Sequence, residues 1–132
     1  MASILTDAGR ALLTLALAVG AYLEPKYTGW GTGAGVAGVT DTTLFAEKAG
    51  DLATATGTRA AGVTSRVTVA KTNDTWQCVQ TLTATGAGSV TNSGVFTVAA
   101  IASGDLFIKG DYAAIPLALG DAIQLTHKVQ FT

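Results

Sequence analysis

Residues 63–85, VTSRVTVAKTNDTWQCVQTLTAT, contain the clearest structural signal in the chain. Valines alternate with polar residues in the first half, and apolar residues occupy alternate positions from Trp76 onward with one exception, Gln80. This period of two is typical of β-strands with one buried face. Between the halves lies Asn73-Asp74, a dipeptide that tolerates left-handed backbone conformations and favours a tight turn. We therefore predict a β-hairpin with strands at 63–72 and 75–85.

Short strand patterns also flank the hairpin. We predict strands at 27–30, around 90–101 and at 106–109, and a last strand at 123–131 with its apolar side chains facing inward. Short strands joined by glycine turns are typical of an antiparallel β-sandwich or jelly roll, and we assign residues 25–132 to such a domain. Residues 41–50, DTTLFAEKAG, predict one short helix that begins with Asp41 as its cap and ends at Gly50.

We predict that residues 1–24 form a distinct apolar helix or arm. The run ALLTLALAVGA at 11–21 is about half the length that a membrane-spanning helix needs. Its length suits the core of a signal peptide, but the flank contains Asp7 and lacks a strong positive charge, so we expect no cleavage. A helix capped by Thr6 or Asp7 and ended by Gly20 is favoured, while an alternation of apolar residues leaves a strand open.

The composition excludes several classes of protein. The 132 residues include 8 basic and 9 acidic side chains, so the net charge is −1 and only 13% of residues are charged. Without a basic excess we expect no nucleic-acid partner, and without a long apolar run no membrane partner. One cysteine excludes an internal disulfide, and one histidine excludes a two-histidine metal site. We predict no cofactor and no metal.

Isolated motifs do not indicate catalysis. The string GAGVAG at 33–38 matches a dinucleotide-binding fingerprint, but no βαβ unit is predicted after it, so we interpret it as a glycine-rich loop. His127 lies on the apolar face of the last predicted strand and is expected to make a structural hydrogen bond. Cys78 alternates with Trp76 and is expected to be a small core residue. We therefore predict no catalytic residues and no enzyme.

An ordered set of segments resembles a family of small tailed-phage virion proteins, the capsid cement or decoration proteins, which are often also labelled tail fibre proteins. The resemblance covers about residues 25–131. The segments are PKYTGWGTG at 25–33, DTTL at 41–44, TNDTWQ at 72–77, NSGVF at 92–96, GDLFIKGDY at 104–112 and LGDAIQLTHKVQF at 119–131. The chain departs from the family pattern at 92–95, so no family role is transferred to those positions.

The resemblance implies a jelly-roll β-sandwich on the outer capsid surface of a virion. Its partners would be a major capsid protein of the HK97 type and a second copy of itself, with a homodimer favoured over a trimer. A cement protein would bridge neighbouring capsid subunits and stabilise the shell against internal pressure. Candidate contact residues come from the apolar segment and the glycine-rich motif: Ile4, Leu5, Leu12, Leu13, Tyr27 and Trp30.

Two alternatives stay open at this point. The apolar segment either contacts the capsid or a partner subunit, or it covers the open end of its own sandwich. The chain could also be a tail-fibre module that binds a receptor or glycan, which predicts an exposed cluster of aromatic and polar side chains. Tyr27, Trp30 and Tyr112 are the candidates for such a cluster.

Overall fold

The computed structural model describes residues 2–20 and 23–132 and confirms a mainly β fold with antiparallel sheets. Met1, Ala21 and Tyr22, which belong to the predicted arm, lie outside the described residues. The elements are β1 (Ala2–Leu5), α1 (Asp7–Val19), β2 (Tyr27–Gly31), β3 (Glu47–Lys48), β4 (Ala60–Ala61), β5 (Val63–Val67), β6 (Thr75–Thr83), β7 (Gly88–Phe96), β8 (Leu106–Leu117) and β9 (Ala122–Gln130).

Two sheets form the sandwich. The larger has the order β1-β8-β7-β2-β3, with β4 also paired to β2, and the smaller has the order β5-β6-β9. All pairs between these strands are antiparallel. Both β1 and α1 contact β8, so the N-terminal segment packs on the sandwich. The predicted strand at 27–30 is confirmed as β2.

The main core lies between the two sheets. Cys78 of β6 packs with Val95, Phe107 and Ile108 of the larger sheet, and Leu12 of α1 joins this cluster. Trp76 meets Phe107 edge to face, with ring centroids 4.9 Å apart and an angle of 74° between the planes. A second cluster farther along the sandwich lies around Trp30 and Leu52. The alternate apolar residues from Trp76 onward therefore point inward, as their period predicts. In the first half of the hairpin the alternation does not mark a buried face, because Val63 is 71% exposed and Val69 58%.

The predicted hairpin is confirmed, but its turn is longer than predicted. β5 pairs with β6 from Val63 opposite Val79 to Val67 opposite Thr75. The first strand ends at Val67, because the Asp74 carboxylate accepts hydrogen bonds from the backbone N–H groups of residues 69, 70 and 71. Those bonds turn residues 68–74 into a loop, and Asn73 adopts a positive φ of 57°.

The N-terminal segment is a helix, as favoured from the sequence. The Thr6 hydroxyl accepts a hydrogen bond from the Gly9 N–H and donates to the Leu106 carbonyl, so one side chain caps the helix and attaches it to β8. Gly20 ends the helix in the left-handed conformation, with φ of 66°. Leu12 is buried against the core. The alternative of a strand through residues 11–20 is therefore wrong.

The predicted helix at 41–50 is wrong. Residues 41–46 are irregular, and Glu47–Lys48 forms the short strand β3. The backbone of this segment bonds to its surroundings rather than to itself: Thr32 and Gly33 donate to the carbonyls of Ala46 and Phe45. The Asn92 side chain also accepts from the Phe45 N–H and donates to its carbonyl. These tertiary bonds replace the i to i−4 pattern of a helix.

Residues 32–46 form a layer on the outer face of the larger sheet, which we call the outer layer. Glycines make its close approach possible, because a Cβ at Gly31 would overlap the Phe45 carbonyl oxygen. A Cβ at Gly35 would lie 2.5 Å from the Phe45 ring. No helix follows the GAGVAG string within the described residues, so this motif packs against a sheet and lacks the context of a dinucleotide site.

We expect Gly31→Ala to destabilise the protein by about 2 kcal/mol, because a rigid backbone carbonyl must move to admit the methyl group. Gly38→Ala is the matched control, since a Cβ there meets only Asp41 Oδ1 at 3.7 Å. Urea unfolding monitored by tryptophan fluorescence measures both. Equal stability of the two variants would show that the outer layer does not pack this closely.

Candidate functional site

The predicted contact residues of the N-terminal segment lie mostly inside the fold. Leu12 is in the core cluster, and Leu5 and Leu13 pack against it. Ile4 is half-buried in β1, opposite Lys109 of β8. The structure therefore brings Leu5, Leu12 and Leu13 together near β8, where they hold the helix and β1 on the sandwich. Ile4 points to the other face of β1, since successive side chains of a strand alternate.

The predicted aromatic candidates do not form an exposed cluster. Trp30 is 2% exposed, and its indole Nε1 donates to the Ala49 carbonyl at 2.6 Å. Tyr27 is half-buried at the start of β2. Tyr112 is half-buried, and its enclosed hydroxyl has no hydrogen-bond partner among the described residues. The arrangement expected of a glycan-binding surface is thus not formed by these three residues.

Other apolar side chains form the exposed surface of this region. Leu17 is 90% exposed, Val19 64% and Leu15 46%, all in the C-terminal half of α1. Leu23, just beyond the helix, is 59% exposed. We call these four residues the apolar strip. No charged residue occurs between Arg10 and Glu24, so water contacts a hydrophobic surface along more than half of the helix.

An open groove of about 530 Å³ lies beside the helix, between α1 and the β5–β6 hairpin. Its floor is apolar, because Leu12 and Leu13 of the helix face Trp76 and Phe107 there. Phe131, which was predicted to face inward, is half exposed and lines the groove. The helix therefore covers this end of the sandwich without sealing it.

A serine–histidine pair links the two sheets. Ser93 Oγ of β7 lies 3.0 Å from Nε2 of His127 in β9, and both side chains are fully buried. His127 Nδ1 has no partner among the described residues. Burial lowers the pKa of His127 to about 4, so the imidazole is a poor base at neutral pH. The expectation of a structural hydrogen bond is confirmed, and the distance alone does not make a nucleophile accessible to substrate.

Cys78 is a core residue, as predicted. Its side chain is fully buried, and burial raises the pKa of the thiol, so the neutral form dominates. No group of three or more histidine, cysteine or carboxylate side chains suited to a metal ion occurs within residues 2–20 and 23–132. Across the same part of the chain, no helix has both the length and the hydrophobicity to cross a membrane.

Lys109 is a buried cation that the sequence reasoning missed. Its ammonium lies under the outer layer, where it donates to Asp41 Oδ2 at 2.8 Å and to the Thr43 carbonyl at 2.9 Å. The ammonium also lies 3.2 Å from the centre of the Phe45 ring. Burial alone would raise the pKa of Asp41, but hydrogen bonds from Lys109 and the Gly38 N–H hold that pKa below its ordinary value.

Arg59 is the second missed cation. Its guanidinium forms a two-pronged ion pair with Glu47, with N–O distances of 2.5 and 2.9 Å. It also donates to three carbonyls of the loop before β8, at residues 98, 100 and 103, and stacks 3.4 Å from the centre of the Phe96 ring. Arg59 thereby joins β3, β7 and this loop around one charged group.

Comparisons of the chain with protein-family models, with curated proteins and with solved structures gave no match. The fold and the surface described above are therefore the basis for a functional proposal.

The buried histidine predicts a pH dependence of stability. With its pKa lowered to about 4, His127 stays neutral in the folded protein, whereas an unfolded chain takes up the proton near pH 6.5. Stability therefore falls as the pH decreases from 6.5 to 4, by about 3 kcal/mol from this group. We expect His127→Gln to have a shallower dependence over this range in urea unfolding experiments. Parallel curves for both proteins would contradict this assignment.

The buried ion pair predicts a double-mutant effect. Asp41→Ala leaves the Lys109 ammonium buried without its carboxylate, and we expect a loss of about 3 kcal/mol in the free energy of unfolding. Lys109→Met added to Asp41→Ala removes the unpaired charge and should restore at least half of that loss. A double variant less stable than Asp41→Ala alone would show that the ion pair does not stabilise the outer layer.

Proposed function

We propose that this chain is a structural virion protein that binds the outer surface of a phage capsid and cements neighbouring major capsid subunits. The observation behind the proposal is the apolar strip, Leu15, Leu17, Val19 and Leu23, on the outside of a small β-sandwich. Such a surface is unfavourable in water and becomes favourable when another protein covers it.

The charge distribution supports binding to a protein shell. Only 13% of the residues are charged, and Lys109, Arg59 and Glu47 are withdrawn from the surface into the fold. Few charges therefore lose their hydration when the sandwich meets a large protein surface. We propose a major capsid protein of the HK97 type and a second copy of this chain as partners, and neither nucleic acid nor a membrane.

The resemblance of the ordered segments in residues 25–131 to phage cement proteins also supports this proposal. The proposal includes jelly-roll connectivity of the sandwich, which this resemblance implies. The tail-fibre alternative predicted an exposed group formed by Tyr27, Trp30 and Tyr112. Trp30 is instead buried and bonded to the Ala49 carbonyl, and the Tyr112 hydroxyl is enclosed. The cement function is therefore the better supported of the two.

The proposal includes no catalysis. Ser93 and His127 are the nearest approach to a nucleophile and its base, at 3.0 Å, but they lie between the sheets with no exposed atoms. Cement activity requires only shape, contact area and several binding points, since linked weak contacts strengthen one another through effective concentration.

Copy number in purified virions is the direct test. A cement protein is present at hundreds of copies, comparable to the major capsid protein, whereas a tail-fibre protein is present at a handful. Quantitative gel analysis of virions of the phage that encodes the chain distinguishes these cases. A handful of copies would refute the cement proposal and support the fibre.

A substitution in the apolar strip tests the contact itself. Leu17→Lys places a charge at the most exposed apolar position of the helix, and we expect shell occupancy at a fixed protein concentration to fall at least about tenfold. Val36→Lys is the matched control, because Val36 is 84% exposed in the outer layer and does not belong to the apolar strip. Cosedimentation with shells that lack the protein measures occupancy. Equal occupancy of both variants would show that the strip does not face the capsid.

A further inference from the structure

The free edges of the two sheets differ in length and regularity. In the larger sheet the described edge strands are short: β1 has four residues, and β3 and β4 have two each. The exposed remainder of β8 contains Pro116, which lacks an N–H. In the smaller sheet β5 has five residues, while β9 has nine. Short strands and proline are common protections of sheet edges against pairing, and β9 has neither.

β9 is also regular. Its register with β6 runs without a shift from Ala122 opposite Thr83 to Gln130 opposite Thr75. β1 approaches it on this side of the sandwich but pairs only with β8. The strand contains no glycine or proline and extends about 30 Å.

The hydrogen bonds at the two ends of β9 show which backbone groups face the open edge. Phe131 donates to the Asp74 carbonyl and Ala84 donates to the Asp121 carbonyl, so odd-numbered residues of this strand bond to β6. In an antiparallel ladder the alternate residues direct their N–H and C=O groups to the other side. Residues 122, 124, 126, 128 and 130 therefore point these groups outward, and among the described residues none of them has a backbone partner there.

We propose that the open edge of β9 pairs with β9 of a second copy, antiparallel and about a two-fold axis at Thr126. This joins the two three-stranded sheets into one six-stranded sheet across a homodimer. The inference rests on the proposed function for the presence of a second copy as partner, and it adds the contact between the copies, which can form without a shell.

The register follows from the length and charge of the strand. A two-fold axis at Thr126, the middle of Ala122–Gln130, places Gln124 opposite Lys128 and lets all five outward-facing residues pair. About ten hydrogen bonds then form, which is the number in a typical protein interface. An axis at Lys128 would instead place two ammonium groups side by side, which is unfavourable. Lys128 is the only charged residue of β9, so the register at Thr126 brings no like charges together.

Charge changes at Gln124 test this register, because its side chain is exposed on the outer face of the sheet. We expect Gln124→Lys to weaken the dimer about fivefold, since it creates two lysine pairs, and Gln124→Glu to tighten it by a similar factor. The exchange Gln124→Lys with Lys128→Gln separates the charges again and should restore the original dissociation constant. Sedimentation equilibrium at low salt measures all four proteins.

Thr126→Pro tests the backbone contribution. The Thr126 N–H faces the open edge, so its loss leaves the bonds to β6 intact but removes the centre of the intermolecular ladder. We expect a folded monomer. In the unmodified protein, amide hydrogen exchange at Gln124, Thr126 and Lys128 should slow on dimerisation. Leu125 and His127 serve as internal controls, because their amides bond to β6 in monomer and dimer alike.

Several results would overturn the proposal: a monomer at about 100 µM, a trimer, or a dimer whose dissociation constant is the same for all Gln124 variants. Protection of the even-numbered amides only after shells are added would assign the edge to a capsid strand and also refute pairing between copies. Shell occupancy is measured separately. A monomer would therefore remove the second copy from the proposed partners but leave capsid binding standing, and loss of shell binding leaves the dimer standing.

Discussion

The burial of the Lys109 ammonium constrains the architecture of the larger sheet. A charge without water is strongly unfavourable unless other groups replace its hydration, and here a carboxylate, a carbonyl and an aromatic face do so. All three come from residues 41–45 of the outer layer. The layer must therefore lie close to the sheet, and Gly31 and Gly35 leave room for it. Asn92 then holds both backbone polar groups of Phe45.

This arrangement gives β7 and β8 two unlike faces, both covered. Toward the smaller sheet they present apolar side chains such as Val95 and Ile108, and toward the outer layer they present Asn92, Lys109 and Phe96. Residues 92–96 and 106–110 are consequently buried in unbroken runs. On the outer face the buried polar groups are satisfied by hydrogen bonds and an ion pair, whereas the inner face is stabilised by hydrophobic packing. The two faces of one sheet are therefore stabilised by different interactions.

The sequence predicted those features that depend on local patterns. The hairpin around Asn73, the helix after Thr6 and the inward side of β6 all follow from period and capping, and the structure confirms them. The helix at 41–50 failed, because its polar residues serve partners distant in sequence. Ser93 was not predicted as the hydrogen-bond partner of His127 for the same reason, since 34 residues separate the two. The sequence does contain a signal for the burial of Lys109. This single cation directly follows the apolar run Leu106–Ile108, and such a run is unusual in a strand that has one face exposed to solvent.

The withdrawal of charged side chains into the fold has a colloidal consequence. The net charge is −1, and several of the few charged side chains neutralise one another in ion pairs within the fold. At physiological ionic strength, charges separated by more than about 8 Å are largely screened. Neighbouring copies of this protein therefore repel one another very little, and the closest spacing that they can adopt is set by steric contact rather than by electrostatic repulsion.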